Sequence, residues 1–271
     1  MRLSIRHTTH YRFAEPVAHG LQRLRLTPKA THGQAILAWD MHLDGAKREL
    51  EYDDQNFNHV TLVSVFPGVQ EVMIRCEGVV ETQDQAGVIG WHSGHLPLWA
   101  FLGQTTRTRP GAKMRSLIAS VKRTDGDTLA MLHDLSAGIV GAVRYQTGAT
   151  HVHTTAEEAV SEGVGVCQDH AHIFIGAARA LDVPARYVSG YLMMNDRVEQ
   201  EATHAWAEAH VEGLGWVGFD ISNGISPDTR YVRVATGRDY GDAAPVTGIN
   251  FGSGSAELNV ALAVEQQSAE Q

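Results

Sequence analysis

SEGVGVCQDHAHIFIGAARALDVPARYVSGYLM, residues 161–193, is the stretch whose reading decides the fold. Gly163 and Gly165 can take backbone angles that other residues avoid, so the spacing predicts a sharp turn delivering Cys167 to the first turn of a helix. Ala171, Ile173, Phe174, Ile175, Ala177 and Ala178 make that helix a buried one, small enough in places for neighbouring backbone to come close. It should end near Leu181, with a strand after Pro184. Unpaired N–H groups and the positive dipole end at a helix start stabilise a thiolate, and the same groups can receive the oxyanion formed when a carbonyl is attacked. From spacing alone, a cysteine at this position is as readily a packing residue as a nucleophile.

The next segment tips that balance. THAWAEAHVEGLGWVGFDISNG, residues 203–224, reads as two strands joined by a glycine turn. Ala205, Ala207, Ala209 and Val211 form one face of the first strand, leaving His204, Trp206, Glu208 and His210 on the other. In the second strand Val217, Phe219 and Ile221 oppose Trp216, Gly218 and Asp220. A one-residue slip flips every side chain, so matching the apolar faces requires an odd loop or a bulge. A loop over residues 212–214 sets Trp206 opposite Asp220 and His204 one diagonal step away. A histidine and a carboxylate on one face are what a general base and its orienting partner require. The plainer readings are a solvated histidine and a turn-forming aspartate. His170 and His172, two apart on the predicted helix, point in different directions, and Asp169 in its first turn should favour the helix dipole and cap N–H groups.

Upstream, apolar spacing predicts helices over residues 111–122 and 128–143, and a third over 154–161 that begins with a Thr154 cap followed by Glu157. Residues 3–82 lack helical periodicity and offer short alternating runs such as LSIRHTTHYRF, HGLQRLRL, HVTLVSVF and EVMIRCEGVV, spaced as in a β-sandwich. Val72, Ile74, Cys76 and Val80 share one face, so Cys76 is read as a small core residue. Residues 83–110 lapse into Gly, Pro and polar residues and are read as the connection between a first domain, 1–95, and a second, 96–265, beyond which the tail EQQSAEQ looks frayed.

Composition narrows the function classes. With 271 residues and 43% hydrophobic content the chain can bury one large core or two smaller ones. Its 22 basic and 31 acidic residues give −9, which repels a phosphate backbone and argues against nucleic acid. The opening MRLSIRHTTHYRF lacks an export signal's apolar stretch, and no run is long enough to span a membrane. Two cysteines in unlike settings suggest no disulfide framework and a cytoplasmic location. The fifteen histidines form no Cys/His pair at zinc-finger spacing, and no dense carboxylate loop suggests calcium, so neither a metal nor another cofactor is expected.

GVCQDHAHIFIGAARALDVPARYVSGYL (165–192) followed by THAWAEAHVEGLGWVGFDISNG (203–224) closely resembles the core of bacterial transglutaminase-like proteins, and HTTHYRF with LRLTP downstream is similar to the β-rich N-terminal domain that accompanies it. The sequence carries Ile221–Ser222 where that family commonly has Pro-Thr, and DDQNFNHV in place of a DxFGN form. The resemblance implies an α+β fold: a β-sandwich-like N-terminal domain, then a papain-like core whose Cys-bearing helix packs on an antiparallel sheet. It implies Cys167 as nucleophile, His204 as base and later acid, and Asp220 as the residue orienting His204. The expected substrate is a peptide or protein amide, with hydrolysis slightly favoured over transfer to an amine. A peptide-binding module without chemistry, or a metal site of Cys167, His204 and a further histidine, are the competing readings.

Overall fold

The computed structural model describes residues 1–122, 126–200, 202–252 and 254–267. Alternation in the first third forms the strands β1 (Arg2–Phe13), β2 (His19–Leu24), β3 (Gln34–Asp44), β4 (Ala46–Asp53), β5 (His59–Val65) and β6 (Glu71–Thr82). A short β7 (Val88–Gly90) lies in the connection. Then come α1 (Ala112–Ser120), α2 (Thr128–Ala142), β8 (Arg144–Tyr145), α3 (Ala156–Glu162), β9 (Val164–Gly165) and α4 (Cys167–Ala180). The chain ends through β10 (Ala185–Leu192), β11 (Glu199–Gln200), β12 (His204–Val211), β13 (Gly215–Phe219), β14 (Tyr231–Gly237), α5 (Tyr240–Ala243), β15 (Val246–Phe251) and β16 (Ala256–Gln266).

Two sheets, ordered β11-β16-β1-β6-β3 and β15-β2-β5-β4, close over a core that includes Phe13, Leu24, Val63, Val65, Val72, Ile74 and Cys76. The expected β-sandwich is present, and Cys76 sits buried inside it on the face shared with Val72, Ile74 and Val80. Residues 246–265, assigned from sequence to the second domain, return to the first half: β16 pairs with β1 over its whole length, and β15 pairs with β2. Their partners lie more than 200 positions earlier, out of reach of local periodicity. Residues 268–271, most of the tail read as frayed, lie outside the described residues.

The second half is a sheet ordered β14-β10-β12-β13-β7 with α4 packed on one face. Small residues make the approach close: Ala171, Phe174, Ala177 and Ala178 of α4 share one cluster with Ala205, Ala207, Ala209, Val217 and Phe219 of the sheet. The three helices ahead of α4 form near the expected spans, but the cap of α3 is shifted by one residue. Thr155, not Thr154, closes a capping box with Glu158, because Thr154 Oγ1 accepts from His151 N at 3.1 Å. Glu157 instead caps α1, accepting from the backbone N–H of Gly111, Lys113 and Met114 at 2.8–3.0 Å. The connecting segment is partly ordered into the core: β7 extends the sheet beside β13, and Phe101 is buried.

The halves are bonded as well as packed. Leu3, Ile5, Val80, Leu262 and Val264 meet Tyr191, Val232 and Val234 in one cluster. Asn58 exchanges two hydrogen bonds with the backbone of Thr236, both at 2.8 Å, and Gln34 does the same with Arg233, also at 2.8 Å. Among the described residues no helix is long and apolar enough to cross a membrane.

Candidate active site

Cys167 is the first residue of α4 and half-buried, as the turn predicts. The two glycines serve different ends. Gly163 is left-handed at φ +68° and ends α3, whereas Gly165 is needed for space, since an added Cβ would lie 2.9 Å from that of Asp169. Val166 precedes the helix and has no side-chain acceptor, so the cap is only half made: Asp169 Oδ2 accepts from Val166 N at 2.8 Å and from Thr150 Oγ1 at 2.6 Å. The leading N–H groups of α4 are thereby left without a capping side chain.

His204 begins β12 and Asp220 directly follows β13. The pairs Ala207–Phe219 and Val211–Gly215 fix the register at a turn over 212–214, the arrangement predicted from alternation. The diagonal contact follows: His204 Nε2 donates to Asp220 Oδ2 at 2.6 Å, with the carboxylate fully buried. This leaves Nδ1 as the ring atom available to a thiol. Burial alone would make His204 less basic. Hydrogen bonds to Asp220 and Cys167, and the charges of both, outweigh it and raise the imidazole to about 10. Burial likewise opposes ionisation of Asp220, yet its bonds to His204, Tyr231 and Asn223 hold it below the usual carboxylate range.

Sequence reasoning missed those last two donors. Tyr231 Oη and Asn223 Nδ2 each donate to Asp220 Oδ2 at 2.7 Å, and Asn223 N donates to Oδ1 at 3.2 Å. Asn223 had a local signal, an amide three residues after the aspartate, but Tyr231 arrives from a separate strand. Trp206 stacks on His204 with centroids 6.2 Å apart and meets Tyr231 edge-on at 5.4 Å. Tyr145 is half-exposed beside the thiol. Burial first, then the nearby charges of Cys167 and Asp220, raise its phenol above the ordinary value.

His170 and His172 diverge, as their spacing requires. His170 Nε2 donates to Val143 O at 3.0 Å and its Nδ1 accepts from Ser222 Oγ at 2.9 Å, so the ring is neutral and fixes the segment after Asp220. His172 Nε2 accepts from Tyr240 N at 3.1 Å, and burial lowers its affinity for a proton to about 3. Among the described residues no group of three or more His, Cys, Asp or Glu is placed to hold a metal ion.

Residues 115–221 match the transglutaminase-like superfamily and residues 3–81 the bacterial transglutaminase-like N-terminal region. Cys167, His204 and Asp220 all fall inside the first match. An uncharacterized protein of Mycobacterium leprae is 28% identical over 281 residues, covering 97% of this chain and 98% of that one. One of Mycobacterium tuberculosis is 26% identical over 277 residues, covering 92% and 88%. The crystal structure of a "putative cysteine protease" from Cytophaga hutchinsonii has the same fold, with a TM-score of 0.80 at 22% identity over 100% of this chain and 92% of that one.

Proposed function

Because the chain joins a transglutaminase-like core to a bacterial transglutaminase-like N-terminal region, we propose that it is a thiol enzyme acting on an amide or peptide bond through an acyl-thioester on Cys167. The observation that carries this reading is the buried 2.6 Å bond from His204 to Asp220, made beside a cysteine at a helix start. Cys167 Sγ attacks the carbonyl carbon, and the oxyanion is received by the leading N–H groups of α4. The His204 imidazolium gives its proton to the departing amine as the C–N bond breaks. Neutral His204 then takes a proton from the second nucleophile, which attacks the thioester and releases the thiolate. Asp220, held ionised by Tyr231 and Asn223, orients the ring and stabilises its charged form.

With water as second nucleophile the product is a carboxylic acid; with a primary amine it is a new amide. We favour hydrolysis, as a peptidase or amidase on peptide or protein substrates, since water competes for every thioester the site exposes. Two unpaired cysteines fit a reducing, cytoplasmic setting. The test is iodoacetamide labelling of Cys167 and Cys76 against pH, read by mass spectrometry in the native protein and in His204→Ala. Rapid labelling of Cys167 near pH ~6, lost in the variant, is expected. Equal, slow labelling in both proteins would discard the thiol mechanism in favour of a peptide-binding module. A glutamine-containing protein offered with a fluorescent amine then separates the outcomes: new chain ends mean hydrolysis, and incorporated label means transfer.

A further inference from the structure

Away from Cys167, a cavity of about 960 Å³ opens between the two halves. The face of β12 that carries His204 also carries Glu208, fully buried, and it is flanked by two arginines. Arg186 Nε donates to Glu208 Oε2 at 2.6 Å, while Arg233 Nε and Nη2 donate to Oε1 and Oε2 at 2.6 and 2.9 Å. Both arginines are 7% exposed and line the cavity. Among the described residues no acceptor is hydrogen-bonded to either terminal nitrogen of Arg186 or to Nη1 of Arg233. Arg186 also lies over the Trp216 ring, 3.9 Å from its centroid, so its stacked face is covered while its uncommitted N–H groups, like that of Arg233, remain open to the cavity.

Charge points the same way. Lys29 also lines the cavity but spends its own donors on Asn56 O, Phe57 O and Asn58 Oδ1 at 2.6–2.9 Å, so the free donors there are those of the two arginines. Of the nearby carboxylates, Glu208 serves both arginines, Asp54 is bound to Arg25 at 3.1 Å, and Asp53 lies exposed at the rim, 3.5 Å from His59. Burial, then the proximity of Arg233 and Arg186, lowers Lys29 to about 6, as expected where negative charge is short. At the mouth stand two exposed aromatic side chains, Phe57 at 41% and Trp91 at 78% exposure. The volume is that of a site for a small organic molecule rather than a bare ion, which fits the ~300–1,000 Å³ range of such pockets.

We propose that the interdomain cavity binds a small organic anion, its carboxylate or phosphate oxygens facing Arg186 and Arg233 and its planar apolar body resting against Phe57 and Trp91. Arginine forks suit both oxyanion groups. The site is independent of the thiol chemistry and would stand if that reading failed.

Isothermal titration of the full chain with inorganic phosphate, phenyl phosphate and phthalate tests it. The two aromatic probes should each saturate one site per chain, at least about tenfold tighter than inorganic phosphate, and the tighter of the two identifies the oxyanion. Ala30, exposed at the cavity wall, provides a substitution that spares the core. Ala30→Glu should weaken phenyl phosphate about tenfold or more, and Ala30→Gln by less than about threefold. Arg186→Gln should abolish binding, and Trp91→Ala should bring phenyl phosphate to the level of inorganic phosphate. Absence of saturable binding in the native protein, or equal affinities for the two Ala30 variants, overturns the site even if Arg186→Gln fails to fold. Inorganic phosphate binding as tightly as phenyl phosphate would overturn the aromatic half of the assignment.

Discussion

The two faces of the β12–β13 hairpin are equally dry and chemically opposite. Toward α4 it presents Ala205, Ala207, Ala209, Val217 and Phe219, a surface that needs nothing but volume. Toward the N-terminal half it presents His204, Trp206, Glu208, Trp216 and Asp220, none more than 9% exposed. Burying charge costs several kcal/mol per ion unless partners arrive, and here they arrive from neighbouring strands: arginines from β10 and β14 for Glu208, Tyr231 for Asp220. The apolar face is specified by its own segment. The polar face is specified by the assembly, and for that reason it can hold residues in geometries no single strand would select.

The largest expected effect lies on the polar face. His204→Ala should leave the fold intact and lower the proposed turnover about 10³-fold or more, within the ~10²–10⁴ range of a general acid–base with its activation of the nucleophile added. Steady-state kinetics on any cleaved amide checks this; retention of a tenth of the rate would remove His204 from the chemistry. Next comes Glu208→Gln, which leaves two buried guanidinium groups short of a counter-charge and should cost about 3–5 kcal/mol in urea unfolding. A cost below about 1 kcal/mol, the level of an exposed pair, would mean that the face is wetter than its burial implies.

Tyr231→Phe removes one of the bonds to ionised Asp220 and should cost about 1.5–3 kcal/mol at neutral pH. The pH dependence sharpens it. Asp220 is held below its unperturbed 3.8, so its contribution to stability is present above that value and lost as pH falls through the depressed one. Weakening the carboxylate's bonds raises it, so acid unfolding of the variant should begin at higher pH. His204 is raised from 6.5 to about 10, so its contribution is complete below 6.5 and disappears as pH rises through about 10. The stability gap between the native protein and His204→Ala should close on that alkaline side; a gap unchanged there would show that the histidine is held by packing alone.

How much of this was legible in the sequence follows the same division. Strand alternation over 203–224 narrowed the register to an odd loop or a bulge, and the three-residue turn, one of these, brings His204 and Asp220 together. The glycine turn and small-residue run placed Cys167 at the start of α4. What was not legible depended on distant chain: β16 returning to β1, Tyr231 reaching Asp220, and the arginines that keep Glu208 ionised inside the protein. Even the α3 cap shows the limit at short range, since Thr154 and Thr155 are equivalent by pattern and only the bond from His151 to Thr154 decides between them.

The apolar face yields the smallest of these effects and the cleanest control. Ala207 is fully buried on β12, in the cluster shared with Phe174 and Ala178 of α4. Ala207→Val adds two methyl groups where interiors are packed to crystal-like density, so α4 must shift or adopt poorer rotamers, at about 1–3 kcal/mol. Such a shift moves the start of α4, and with it Cys167, relative to His204 on the neighbouring strand. The variant should therefore lose stability and slow Cys167 alkylation together, while the slope of stability against acid pH, which reports Asp220, stays that of the native protein. Lost stability with unchanged alkylation would mean that the helix start is positioned by the turn at Gly163 and Gly165 rather than by the sheet beneath it.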